Sequence, residues 1–155
     1  MDRALARQQS GFTLIELVTV LILLGILAGT LYSRGAPSTA TLNAQADQLA
    51  RTLRHAQSLS LAQARSLTLD VQSATNYIIS DGGATITDPQ GVVQTYTLVN
   101  GVTVAGSDLD FDSLGRPIDA TDNLITAART WTLSVDGSTA SVRVEPLTGF
   151  VSVTP

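Results

Sequence analysis

Cysteine is absent from this 155-residue chain, which excludes disulfides, thiolate zinc sites and thiol catalysis. An exported domain of this composition must be held by packing and sheet hydrogen bonds alone. Lysine is absent too, so all nine basic residues are arginines against thirteen acids, for a net charge of -4. That balance argues against general nucleic-acid affinity, which needs a basic surface. Histidine occurs once, at His55, and nothing near it supplies partners for a metal or catalytic role, so a solvated helical histidine is expected. The acids are scattered and no nucleophile motif occurs, so the chain is not expected to be an enzyme and no cofactor is expected. There is no internal repeat and no low-complexity tract.

What the chain does have is a long apolar run over residues 12–31, interrupted by one acid, Glu16. Much of the positive mean hydropathy, +0.23, sits there. At about 1.5 Å per residue, a helix of this length spans roughly 30 Å, a hydrocarbon core. Residues 1–10 are polar and carry Arg3 and Arg7, which by the positive-inside bias hold the N-terminus in the cytoplasm. Gly25 and Gly29 form a small-xxx-small pair that permits close helix approach, although glycine is also common in membrane helices. An ordinary signal peptide would be cut near residues 28–30. The length of the apolar run and the intrusion of Glu16 speak against one.

Gly35 and Pro37 should kink or end this helix. A second helix then starts near Ser38 or Thr39, either a suitable cap, and ends around residues 64–66. Leu42, Ala46, Leu49, Leu53, Ala56 and Ser60 recur at helical spacing as an apolar-to-small stripe, with Asp47, Gln48, Arg51, Arg54 and Arg65 mostly off it. This stripe should pack on a sheet. From Ser66 the texture turns to period two, with Leu67, Leu69 and Val71 alternating with polar residues. Turn signals stand at Asp81-Gly82-Gly83, Asp88-Pro89-Gln90-Gly91, Asn100-Gly101, Gly115-Arg116-Pro117 and Asp136-Gly137. Those at Asn100-Gly101 and Asp136-Gly137 read as hairpins. Residues 119–128 read as a surface loop. Six to nine short strands after a long helix give an α+β protein. The helix has a membrane-spanning first half and an amphipathic second half, packed on a C-terminal antiparallel β-sheet domain. The expected divisions are a leader at 1–11, a transmembrane helix at 12–34, an amphipathic helix continuing it at 35–65, and a β-rich globular domain at 66–155.

Glu16 is the informative oddity. An acid in a membrane-length helix costs about 2.5–3.5 kcal/mol at mid-membrane, less near the interface. The helix dipole returns only about 0.3–1 kcal/mol near the N-terminus. A cationic partner would supply the difference, and a neighbouring subunit's free N-terminal amine is one candidate. Gly11, just before the helix, is an open site at which a protease could free the Phe12 amine.

The run Gly11-Phe12-Thr13-Leu14-Ile15-Glu16, with its basic leader and apolar sequel, resembles the class III signal of type IV pilins and type II secretion pseudopilins. The resemblance implies cleavage by a prepilin peptidase between Gly11 and Phe12, N-methylation of Phe12, and Glu16 as the acid used in assembly. Cleavage would remove Arg3, Arg7 and Asp2 and leave the remainder one charge more acidic. Further motifs lie in residues 48–62, in Asp110-Phe111-Asp112-Ser113-Leu114-Gly115-Arg116-Pro117 and in Thr148-Gly149-Phe150-Val151. They look like the FimT/GspH type of minor pilin domain, and are similar to minor pilins of mannose-sensitive haemagglutinin-type systems. Many relatives carry a disulfide that this chain cannot form. The resemblance implies other minor and major pilins or pseudopilins, a prepilin peptidase/methylase and an inner-membrane assembly platform as partners. It implies a single-pass inner-membrane precursor that later joins a periplasmic or surface filament, in a type IV pilus or a type II secretion pseudopilus. The alternative is a DNA-uptake or adhesion pilin. Residues 144–155 carry no basic residue, so direct nucleic-acid binding is not expected. Asp108, Asp110 and Asp112 alternate on one face of a strand and are weak calcium candidates. They lack the later glutamate and spacing of an EF-hand, and a solvated polar face is the expected reading.

Overall fold

The computed structural model describes residues 13–32, 39–87 and 93–155, with the side chains of the first helix described to Leu27. The leader with Gly11 and Phe12, the Gly35–Pro37 break and the turn at 88–91 lie outside the described residues. The chain forms two compact units, Met1–Ala36 and Pro37–Pro155.

In the first unit, helix α1 runs Leu14–Tyr32. Thr13 caps it: its Oγ accepts the Glu16 amide at 3.3 Å, and its carbonyl accepts the Glu16 and Leu17 amides at 3.1 and 3.2 Å. Every described side chain of α1 is exposed, as expected of an apolar helix with no partner among the described residues of its unit. Among the described residues no helix is long and apolar enough to cross a membrane.

In the second unit, helix α2 runs Thr39–Gln63. Each residue of the expected stripe is buried (Leu42, Ala46, Leu49, Leu53, Ala56, Ser60), and Ala50 and Thr52 join them. The helix lies against strands of two antiparallel sheets. The first sheet contains β1 (Leu67–Ser73), β2 (Asn76–Asp81), β3 (Ala84–Thr85), β4 (Thr95–Thr97), β6 (Leu109–Phe111) and β7 (Pro117–Ile118). Its order is β3-β2-β1-β6-β7, with β4 also on β2. The second contains β5 (Thr103–Ala105), β8 (Arg129–Val135), β9 (Ser138–Val144) and β10 (Val151–Thr154), in the order β10-β9-β8-β5. The ten described strands exceed the six to nine expected, because β3 and β7 are two-residue edge pieces. The core combines the α2 stripe with Leu67, Leu69, Tyr77, Ile79, Leu109 and Phe111 of the first sheet and Trp131, Leu133, Val142 and Val144 of the second.

Two turns of like chemistry end differently. Asp136-Gly137 has φ of 47° and 80° and joins β8 to β9 in a two-residue hairpin, as expected. Asn100-Gly101 has φ of 57° and 75°, the same left-handed pair, but it makes no hairpin. The strand before it pairs with β2, and the strand after it pairs with β8 in the other sheet. The expected hairpin is therefore corrected to a crossing between sheets. Local chemistry sets the reversal, and the burial of Leu98 before it and Val102 and Val104 after it sets which partner each strand takes. The expected loop at 119–128 is also partly structural, with Leu124 bridged to Ile118 and Ile125 buried.

Gly106 leaves β5 against the indole of Trp131, which is fully buried, and a Cβ there would stand 2.1 Å from the ring's Cδ1. Gly106→Ala must therefore displace the largest core side chain. Urea unfolding should show a loss of about 1–3 kcal/mol, the range for overpacking a core.

Candidate functional site

Of the residues singled out by the sequence, Glu16 is placed in the first turn of α1, three residues after its cap. Thr13-x-x-Glu16 is the spacing of a capping box, a signal present in the sequence itself. One half of the box is made, since the Thr13 hydroxyl takes the Glu16 amide. The Glu16 side chain is exposed and, among the described residues, takes no hydrogen bond or ion pair. Gly11 and Phe12 lie outside the described residues.

The three aspartates of the 108–112 stretch are not gathered into a cage. Leu109 and Phe111 are buried, so the intervening Asp110 is turned outward as the alternation required. Each carboxylate has its own local partner. Asp108 Oδ1 accepts the Val71 amide at 2.8 Å, and Asp110 accepts the Thr68 hydroxyl. Asp112 Oδ1 accepts the Leu114 and Arg116 amides at 2.9 and 2.8 Å, while Oδ2 takes Arg116 Nε at 2.8 Å. Among the described residues no group of three His, Cys, Asp or Glu side chains is placed to hold a metal ion. Partial burial pushes the Asp112 carboxyl up, but the Arg116 amide and guanidinium and the Leu114 amide outweigh it and hold it below the usual carboxylate range.

The motifs after residue 48 meet in one place. Gln57, on α2, donates from Nε2 to the Gly115 carbonyl at 2.8 Å and to the Thr148 carbonyl at 3.0 Å. The same amide nitrogen would be 2.4 Å from a Cβ at Gly149, so that site admits no side chain without displacing Gln57. Arg54, one turn earlier, donates to the Val151 carbonyl at 2.9 Å. The two loops are closed internally as well. Gly115 donates to the Asp112 carbonyl at 2.8 Å, and Gly149 to the Glu145 carbonyl at 3.1 Å. The spacing of these motifs thus reflects a shared junction, where one carboxamide clamps a loop of each sheet to the helix. Leu61, Leu114, Leu147 and Phe150 are exposed on this helix and these loops.

On a different side of α2, Tyr77 and Tyr96 stack with ring centroids 5.2 Å apart and planes 11° from parallel. Burial pushes the Tyr77 phenol up to about 12, against a smaller opposing effect of the Thr52 hydroxyl. Gln48, Arg51, Thr52, His55 and Tyr96 line a cavity of about 330 Å³ beside this stack. His55 is exposed, as expected, and this cleft is the setting the sequence did not disclose.

Comparison with known proteins matches residues 6–32 to the family model "Prokaryotic N-terminal methylation motif". No curated protein matches the chain by sequence. Two crystal forms of the type IV minor pilin FimU of Pseudomonas aeruginosa are similar in fold. One, in space group P21, has a TM-score of 0.53 at 15% identity and covers 74% of this chain and 88% of FimU. The other, in P65, has a TM-score of 0.55 at 17% identity and covers 74% of this chain and 93% of its counterpart.

Two outcomes check the junction. Gln57→Ala leaves the Gly115 and Thr148 carbonyls without their donor and should cost about 1–3 kcal/mol in chemical unfolding. Ser58→Ala, on the exposed side, should cost little. The second outcome is pH dependence. The folded Asp112 carboxyl lies below its unfolded value, so its contribution is present above the unfolded value and is lost as pH falls through the folded one. The stability difference between wild type and Asp112→Asn should therefore shrink on acidification through that window.

Proposed function

We propose that this type IV minor pilin-like chain, with an N-terminal methylation motif and a FimU-like globular fold, is a minor pilin or pseudopilin subunit that acts by assembly. The observation that carries the reading is the conjunction of the two. The motif occupies residues 6–32, whereas the fold likeness covers 74% of the chain and so extends well beyond the motif. A methylation motif alone would suit any protein exported on this signal, and an α+β domain alone would suit many functions.

In this scheme residues 1–11 are a leader removed by a prepilin peptidase between Gly11 and Phe12, and the new Phe12 amine is methylated. Residues 12–34 hold the precursor in the inner membrane, with the N-terminus cytoplasmic, and pack against neighbouring helices after assembly. Residues 35–65 continue the helix, and residues 66–155 form the globular domain outside the membrane. Glu16 pairs with the Phe12 amine of another subunit. The apolar, exposed surface of α1 suits this role, since it needs either lipid or other helices around it. The partners are other minor and major pilins, the peptidase/methylase and an inner-membrane platform. The chemistry of the chain serves a pilus and a secretion pseudopilus equally well.

Mass spectrometry of the mature protein should give an N-terminus at methylated Phe12, and any other start would overturn the processing scheme. Glu16→Ala should insert into membranes as well as wild type or better, because it removes an acid from an apolar helix. It should also be depleted from sheared filaments. Normal filament incorporation of this variant would show that the charge pair is not needed.

A further inference from the structure

The cleft between α2 and β4 combines basic, amide and aromatic side chains. The chain is acidic overall, yet the walls of this cleft contain no carboxylate. They are formed by Gln48, Arg51, Thr52 and His55 of α2 and by Tyr96 of β4. Arg51 and His55 are one helical turn apart and therefore project to the same side. The ion pairs among the described residues are Arg65–Asp81, Arg116–Asp112 and Arg143–Glu145, so Arg51 has none, although Asp47 stands one turn before it. A second cavity, of about 390 Å³, adjoins the first at His55 and is again without a carboxylate on its walls.

The opposite rim of the cleft is an edge strand. On its inner side β4 pairs with β2, and the Leu98 amide just beyond it donates to the Thr75 carbonyl at 2.7 Å. The period-two alternation of an antiparallel ladder then turns the Thr97 amide and carbonyl away from β2. Among the described residues no strand pairs with that outer side. Residues 93–99 carry no charge and no proline, the usual devices that blunt an edge. By contrast, the β7 edge contains Pro117.

We propose that the α2–β4 cleft binds an extended acidic peptide segment of a partner protein, whose carboxylate is held by Arg51 and His55 while its backbone pairs with the outer edge of β4. A strand added beside Tyr96 points every second side chain toward α2, where Arg51 and His55 offer N–H donors and Gln48 a carboxamide. Charge-assisted hydrogen bonds from a guanidinium to a carboxylate favour this pairing. Two donors one turn apart serve a single carboxylate. A nucleic-acid backbone needs a continuous cationic track instead, which an acidic surface does not provide.

The test uses the full-length chain in a nonionic detergent and a fluorescein-labelled peptide alternating glutamate with valine or threonine, read by anisotropy. Its companions are the same peptide with glutamine for glutamate and a labelled single-stranded oligothymidine. The acidic peptide should bind saturably, and the glutamine peptide about tenfold more weakly or worse. Arg51→Ala combined with His55→Ala should weaken the acidic peptide by a similar factor with an unchanged melting temperature, since both side chains are exposed. Thr97→Pro removes the outward amide at an edge that tolerates proline, and should weaken both peptides while leaving the fold intact. The proposal is overturned by equal binding of the two peptides, by full binding in either variant, by tighter binding of the oligonucleotide, or by no binding. Each readout is made on the isolated protein, so it is independent of whether the chain assembles into a filament.

Discussion

The second unit depends on a single helix face that has to satisfy two sheets. α2 touches β1 and β6 of the first sheet and β8, β9 and β10 of the second. Its buried stripe mixes three leucines with alanine, serine and threonine. The small residues let strands approach the helix closely, while Leu42, Leu49 and Leu53 are fully buried in the shared core. Each fully buried leucine contributes about 1.5–3 kcal/mol. With no disulfide available, this shared layer is the main connection between the sheets, and the crossing at Asn100-Gly101 is one of the covalent ones.

Apolar packing alone would leave the sheets free to slide along the helix, because the hydrophobic effect has no direction. Directional bonds sit at the edges of the stripe. Gln57 and Arg54 fix the loops after β6 and β9 to one side. Thr52, on another side, has its hydroxyl on the Gln48 carbonyl at 3.0 Å and close to the stacked tyrosines. The helix is thus apolar along its centre and polar along both borders. The borders are also where it presents chemistry to the outside, with exposed apolar side chains by the Gln57 junction and, by the tyrosines, the Gln48 amide and the basic side chains of Arg51 and His55.

Much of this was legible in the sequence. The α2 stripe is legible, apart from Ala50 and Thr52, because helical periodicity is strong over 25 positions, and the Asp136-Gly137 hairpin because that turn is local. What failed was the inference from a turn to its strand partners. Asn100-Gly101 has the same dihedral preference, but pairing is decided by where Leu98 and Val102 can be buried, and that is not a local quantity. The Gln57 junction was half visible. Its three segments stand out as motifs, yet a separation of 58 positions between Gln57 and Gly115 hides their meeting. The α2–β4 cleft left no trace, since Arg51, His55 and Tyr96 share no spacing that a pattern could register. The N-terminal signal was the reverse case: its meaning came from chemistry and resemblance, and Gly11 and Phe12 lie outside the described residues.

The cap at Thr13 bears on the energetics of Glu16. An acid at the first turn gains from the helix dipole, and Thr13 secures that turn by accepting the Glu16 amide, a contribution of about 1 kcal/mol for a typical N-cap. Together these narrow the cost of placing a carboxylate at the edge of a bilayer, where that cost is already below its mid-membrane value. They act through the backbone, however, and leave the carboxylate oxygens free of any bond among the described residues. A completed capping box would have spent those oxygens on the Thr13 amide. The half-made box therefore does two things at once: it fixes where the helix begins, immediately after Thr13, and it keeps the acid available. Under the proposed assembly scheme that combination is what a subunit needs, since a carboxylate already satisfied within its own helix would have little to gain from a neighbour's amine.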